Sequence, residues 1–244
     1  MGLKDPLFGF VEELQGPRPW GRLLDAGTGP ASLRWIDSLR PSAWTAVTAD
    51  RQMAASLDRL PRFSDRIVIG DWVDEGLLAG ETFDVVIADY LLGAVDGFAP
   101  YFQDQLFARL RRHVGGTLYA VGLEPWPEVG DEAVRRWKAV VDARDAAIRL
   151  VGDRTYREYP LDWVIRTLQR SGYRVTASRR FDILLSKASI SRQVDVGRRK
   201  LPRMADATLA AGMARWLDHV EAEAWSVAPL RVGSDWVVAA EPTR

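Results

Sequence analysis

The residues best suited to chemistry lie in Gly21-Arg22-Leu23-Leu24-Asp25-Ala26-Gly27-Thr28-Gly29-Pro30-Ala31-Ser32. Leu23 and Leu24 close a short apolar run, and Asp25 stands two residues before the first of two glycines spaced by one. Leu33, Ile36 and Leu39 then share a helical face, so the order is strand, glycine turn, helix. Gly27 and Gly29 let backbone approach a ligand where a Cβ would clash. Gly29 can cap the helix, and Pro30 suits its first turn because that N–H has no intrahelical partner. A helix start with free N–H groups attracts negative charge. A dinucleotide site asks for G-x-G-x-x-G, and here the third position is Ser32. An acid at the strand tip would repel a pyrophosphate; Asp25 suits a ligand with an ammonium group instead.

Further acids close the strands that must surround this turn. Trp44–Asp50 reads as a second strand, rich in β-formers and ended by an acid. Asp50 lies about 20 residues past the glycines, the spacing at which an acid meets a ribose. It can also cap a helix over Arg51–Leu60; both roles can hold together, and the ribose role is favoured. Ile67–Trp72 is a third strand with its exit. Phe83–Tyr90 is a continuous apolar run that suits a central parallel strand buried on both faces. Ligands in open parallel sheets sit beyond the carboxyl ends of the strands, so Asp89 and Tyr90 are expected to reach the site. Gly93–Phe102 reads as a loop and Gln105–His113 as a helical segment ended by Gly115-Gly116. Thr117–Leu123 is a fifth strand, and Glu124 leaves it at the same edge as Asp89. His113 precedes that strand, at the wrong end of the sheet, and is read as structural.

The remaining elements frame this core. Phe8, Val11 and Leu14 predict a short helix stopped by Gly16-Pro17. Helices are expected over 131–151 and 161–171, a strand over Tyr173–Phe181, a helix over Ala205–Ala224 and a last strand at Asp235–Ala240. The organisation is one domain, 1–244, with an N-terminal helical extension (1–20) and helical insertions at 125–158 and 186–226.

Composition narrows the class. The 244 residues are 47% apolar and 27% charged, ordinary for a globular chain with a sizeable core. Lys+Arg and Asp+Glu are both 33, so there is no basic excess to suggest nucleic acid. With 0 Cys there is no disulfide, thiolate metal site or cysteine nucleophile. Two His and no His–acid constellation predict no metal. No apolar run reaches membrane-spanning length and Met1–Gly16 lacks a leader's apolar run, so no membrane and a cytoplasmic address are expected. The basic residues Arg192, Arg198, Arg199, Lys200 and Arg203 read as a solvated face, with an acidic acceptor as the alternative. The 10 Trp are expected mostly to fill the core, with an aromatic acceptor pocket as the alternative for some of them.

Leu23–Ser32 resembles the first cofactor-binding motif of class I S-adenosylmethionine-dependent methyltransferases, an acid-x-Gly-x-Gly arrangement. The cofactor has an α-amino group, a carboxylate and no phosphate. The resemblance covers roughly 20–124 motif by motif and the rest by element order. It implies an α/β, Rossmann-like doubly wound sheet of seven strands. This sheet is mostly parallel with an antiparallel last strand, and extra helices lie over the acceptor side. It implies that Asp25, Gly27 and Gly29 hold the methionine part and Asp50 the ribose. Asp71 takes the adenine amino group, and Trp72 its ring through the backbone N–H, with the indole also able to lie against it. The alternatives are a turn Asp and a core Trp. Asp89 belongs near the amino-acid tail or the acceptor, and Tyr90 and Glu124 orient the acceptor or remove its proton; Glu124 as a loop cap is the alternative. Asp89-Tyr90-Leu91-Leu92 lacks the prolines of the tetrad found in DNA-amino methyltransferases, which counts against nucleobase methylation. The expected reaction moves a methyl group to an N, O or S nucleophile of a small-molecule acceptor; a homodimer through helix 131–151 is left open. The rival readings are an NAD(P)-dependent oxidoreductase, an aminopropyl transferase and a non-catalytic binding module.

Overall fold

The structure, a computed structural model, describes residues 5–57 and 64–243. The strands are β1 (Arg22–Asp25), β2 (Ala43–Thr48), β3 (Arg66–Ile69), β4 (Phe83–Asp89), β5 (Val114–Leu123), β6 (Tyr173–Leu185) and β7 (Leu230–Pro242). The helices are α1 (Pro6–Gln15), α2 (Pro30–Ser38), α3 (Arg51–Ser56), α4 (Leu91–Ala94), α5 (Gln103–Arg111), α6 (Glu132–Leu150), α7 (Leu161–Arg170), α8 (Lys187–Arg198) and α9 (Ala207–Ser226). The expected run of α3 to Leu60 falls partly on 58–63, outside the described residues.

The strands form one seven-stranded sheet in the order β3-β2-β1-β4-β5-β7-β6. β1 pairs in parallel with β2 and β4, β2 with β3, and β4 with β5. β7 is antiparallel to β6: the Thr243 N–H donates to Gly172 O (2.9 Å) and Thr176 Oγ1 to Ala239 O (3.1 Å), so numbers fall along one as they rise along the other. This is the mostly parallel, doubly wound sheet expected, with its antiparallel last strand.

Contacts gather the chain into two compact units. The first comprises the residues up to Leu123, Arg157–Phe181, and those from Trp236 onward. Its strands alternate sides. Leu23, Val85, Ile87, Tyr119, Val121 and Val237 face one way and pack with Val11 of α1 and Leu33 and Ile36 of α2. Leu24, Val86, Ala88, Leu118, Ala120 and Val238 face the other and pack with Leu91 of α4, Leu106 of α5 and Val164 of α7. A period of two along each strand puts successive side chains on opposite faces, so both faces bury apolar surface and both need helices. The second unit, Glu124–Tyr156 and Asp182–Asp235, packs α6, α8 and α9 around Trp137, Val140, Val194, Leu217 and Val220. There Arg198 joins Asp195, Asp218 and Glu221 (2.6–3.0 Å), and Lys200 and Arg203 both reach Asp153 (2.5–2.9 Å). Much of the basic run at 192–203 is thereby neutralised within the unit.

Two local readings are corrected. Residues 93–102 are not a plain loop: α4 reaches Ala94 and a 3-10 turn covers Val95–Gly97, because Leu91, Leu92 and Val95 are buried. Gly115 and Gly116 do not stop a helix; they lie inside β5, opposite an irregularity in its pairing with Phe83 and Val85. A Cβ on either would press on a β4 backbone carbonyl, which is why glycine serves there.

Gly122 is as tightly constrained. A Cβ there would overlap the ring of Trp236, a fully buried side chain fixed by its Nε1–H to Tyr159 O (3.1 Å). Gly122→Ala is therefore expected to lower stability by about 1–3 kcal/mol, the usual cost of overpacking, read as a reduced midpoint in urea unfolding.

Candidate active site

β1 lies between β2 and β4, so the chain leaves it in opposite directions for its two neighbours. At such a switch point a crevice opens beyond the carboxyl ends of the strands. The strand ends are tied together there. The Ala26 N–H donates to Ile87 O (2.8 Å), Thr28 N–H to Val47 O (2.9 Å), and Gly70 N–H to Thr48 O (3.0 Å). Trp72 Nε1–H donates to Ala26 O at 2.6 Å. The glycine turn after β1 and the exits of β2, β3 and β4 thus form one connected rim.

Asp25 ends β1 at 0% exposure. Its Oδ2 accepts from Ser32 Oγ at 2.9 Å, and Ser32 Oγ in turn accepts from the Gly29 N–H at 3.1 Å. Asp25 Oδ1 and Thr28 Oγ1 are buried and have no hydrogen-bond partner among the described residues. Burial pushes the Asp25 carboxyl up to about 6; the Thr28 and Ser32 hydroxyls and the Gly27 amide nearby pull the other way. Sequence reasoning missed Ser32, treating it only as a glycine that was absent. Its signal was position: it lies on the first turn of α2, facing back to the strand tip.

The two glycines differ in what they permit. A Cβ on Gly27 would lie 2.7 Å from Leu91 Cδ1, so glycine there admits the packing of α4. Gly29 is the N-cap of α2, and a Cβ there would meet nothing within 4 Å. The open space that a ligand needs lies at Gly29.

Asp50, Asp71, Trp72, Asp89 and Tyr90 follow or end β2, β3 and β4. Asp50 caps α3 through Oδ1, which accepts from Gln52 N (2.7 Å) and Met53 N (3.2 Å). Only one of its oxygens is used this way. Asp71 Oδ1 accepts from the Val73 N–H (3.1 Å), the turn role weighed for it. Trp72 is 3% exposed, and its indole is spent in the core on Ala26 O, so the ring offers no free face; its backbone N–H is what remains for a ligand. Asp89 is the last residue of β4 and half-buried. Tyr90 follows with φ 48°, a left-handed conformation, with its N–H donating to Val121 O (2.9 Å) and its side chain 37% exposed. That conformation costs a bulky residue about 1–3 kcal/mol, and Arg40, Leu78 and Tyr101 also adopt it. Glu124 follows directly on β5 as the first residue of the second unit, where its N–H donates to Ser234 O (2.9 Å). His113 lies at the amino end of β5, as expected. It is fully buried, with Nδ1 2.9 Å from Glu81 O and Nε2 3.1 Å from Arg112 Nε, and burial holds its pKa down.

A cavity of about 530 Å³ lies at the start of β5, lined by Arg18, Arg111, Gly115, Gly116, Thr117 and Glu241. Its cations are already engaged: Arg18 donates to Leu14 O and Gln15 O, and Arg111 to Gly172 O and Thr243 O. The switch point remains the better candidate.

Asp25 carries a testable thermodynamic signature. Its folded pKa lies above the ordinary 3.8, so the folded state holds a proton that the unfolded state has lost between about pH 4 and 6. Stability attributable to this group falls across that window and stays lower above it, by about 3 kcal/mol. Asp25→Asn is expected to be more stable than wild type by about 1–3 kcal/mol at pH 8, with the gap closing at pH 4, in denaturant unfolding at both pH values.

No protein-family model matches the sequence, and no curated protein matches it either. Solved structures do match in fold. A candidate methyltransferase of Bacillus halodurans aligns with TM-score 0.63 and 14% identity over 98% of this chain and 100% of that one. A SAM-dependent methyltransferase of Geobacter sulfurreducens, solved with S-adenosyl-L-homocysteine, aligns with TM-score 0.54 and 15% identity over 98% and 91%. The [4+2]-cyclase SpnF aligns with TM-score 0.57 and 17% identity over 98% and 81%. The chain has the class I S-adenosylmethionine-dependent methyltransferase fold.

Proposed function

We propose that this protein is an S-adenosylmethionine-dependent methyltransferase acting on an N, O or S nucleophile of a small-molecule acceptor. One observation carries the reading: a buried carboxylate at the tip of β1 with an oxygen unpaired among the described residues, beside the open space at Gly29. A buried carboxylate lacking a partner is costly, and an ammonium group relieves that cost. A pyrophosphate would be repelled there, so a nicotinamide cofactor fits poorly. The orphaned Asp25 oxygen and the room at Gly29 fit the amino-acid end of S-adenosylmethionine.

In this reading Asp25 holds the ammonium, and the Gly27–Gly29 turn with the start of α2 receives the carboxylate. Asp50 caps α3 with one oxygen and keeps the other for the ribose hydroxyls. Asp71 and the Trp72 backbone N–H meet the adenine, and Asp89 stands near the amino-acid tail or the acceptor. When bound, the cofactor supplies a methyl group that its sulfonium already makes electrophilic. The chain's task is then mainly to position a nucleophile in line and exclude water. A base is needed only where the nucleophile loses a proton as it attacks. Tyr90, strained and part-exposed at the end of β4, is assigned the orientation of the acceptor or the removal of that proton. Glu124 is assigned the same task from its place in the chain next after β5. The likeness to SpnF supports a second reading, in which the cofactor pocket serves a reaction other than methyl transfer.

Isothermal titration with S-adenosylmethionine, S-adenosylhomocysteine and NADH tests the proposal. Binding of the first two with NADH silent is expected, and Asp25→Ala should weaken both at least about tenfold. Binding of NADH alone, or an Asp25→Ala variant that binds as tightly as wild type, would overturn it. Cofactor binding with no methyl transfer across a broad acceptor screen would favour the second reading.

A further inference from the structure

We infer that Ser32 is a positioning residue for the cofactor's amino-acid end: its hydroxyl engages one oxygen of Asp25 and thereby presents the other to an ammonium group. The inference rests on the cofactor reading above. It starts from three distances at the first turn of α2. Ser32 Oγ donates to Asp25 Oδ2 (2.9 Å), accepts from the Gly29 N–H (3.1 Å) and lies 3.1 Å from Gly29 O. A single hydroxyl therefore bridges the strand tip and the turn that must wrap the ligand. Ser32 is 1% exposed, so its rotamer is locked by its surroundings.

The consequence is chemical as well as geometric. Asp25 pairs in register with Ala46 of β2 and Ile87 of β4, neither of which can neutralise it. The groups acting on it are the side chains of Ser32 and Thr28 and the Gly27 backbone; no charged side chain among the described residues is one of them. Ser32 thus holds Asp25 Oδ2 by a hydrogen bond of 2.9 Å, and the Thr28 hydroxyl nearby also favours the charged form. A hydrogen bond to the charged form favours ionisation, opposing the burial that raises the group. Without the hydroxyl, Asp25 holds its proton to higher pH, and a protonated Asp25 no longer attracts an ammonium. The amino group of the cofactor's amino-acid end stays charged through neutral pH, so Asp25 sets the acid limit of the pairing. Ser32 therefore widens, from the acid side, the pH window in which the two groups pair.

Titration of wild type and Ser32→Ala with S-adenosylhomocysteine from pH 5.5 to 8, alongside 5′-methylthioadenosine, tests this. The second ligand keeps the nucleoside and lacks the amino acid. The variant is expected to shift the acid limb of S-adenosylhomocysteine binding upward by about one pH unit. Binding should then be about fivefold weaker than wild type at pH 6 and within about twofold at pH 8. Affinity for 5′-methylthioadenosine should be unchanged at both. Equal weakening at every pH, or equal weakening of both ligands, would make Ser32 a purely structural residue and overturn the inference. Failure of wild type to bind S-adenosylhomocysteine at any pH would instead overturn the cofactor reading. If Ser32→Ala does not fold, Ser32→Cys carries the same measurement: a near-isosteric weak donor, it should give an upward shift of the same sign and smaller size.

Discussion

A carboxylate sealed at the tip of β1 is the constraint from which much of the first unit follows. Asp25 is fully buried; its Oδ2 is hydrogen-bonded to Ser32, and its Oδ1 has no hydrogen-bond partner of good geometry among the described residues. Such a group is a liability for folding, because the charged form is disfavoured without water or a counter-charge. The surroundings hold it in place regardless. β2 and β4 flank it in register, α2 reaches back through Ser32, and Trp72 fixes the adjoining peptide through Ala26 O.

The same rim shows how structural and functional demands fall on one residue. Asp50 caps a helix with one oxygen. Gly27 is small because Leu91 needs its space. Trp72 does its structural work with an indole that the sequence offered as a ligand surface. Each of the three is part of the scaffold. Tyr90 differs: nothing about a helix start requires a left-handed aromatic residue, yet the chain turns there immediately after β4.

The second unit follows different physics. It is a three-helix cluster with its own apolar core, and its charges are largely spent on one another. Arg198 holds the nearly buried Glu221 together with Asp195 and Asp218, and so ties α8 to α9, while Lys200 and Arg203 pair with Asp153. Charge counting along the chain could not reveal this, since the acids that answer Arg198 lie both before and after it, as far on as Glu221.

The seven-stranded sheet followed from the family resemblance, while the sequence alone determined the alternation of strands and helices and the carboxyl ends of β1, β4 and β5. These depend on period and on local punctuation: Leu23-Leu24, the apolar run Phe83–Ala88, and the glycines and acids at the exits. Such signals need no partner from elsewhere in the chain. Side-chain facing was another matter. Whether Trp72 met a ligand or the core, whether Gly115 and Gly116 broke a helix or eased a strand past β4, and what Ser32 touched all depended on residues dozens of positions away. Only tertiary structure decides those contacts, because burial and hydrogen bonding belong to pairs brought together by folding, while periodicity belongs to the segment itself.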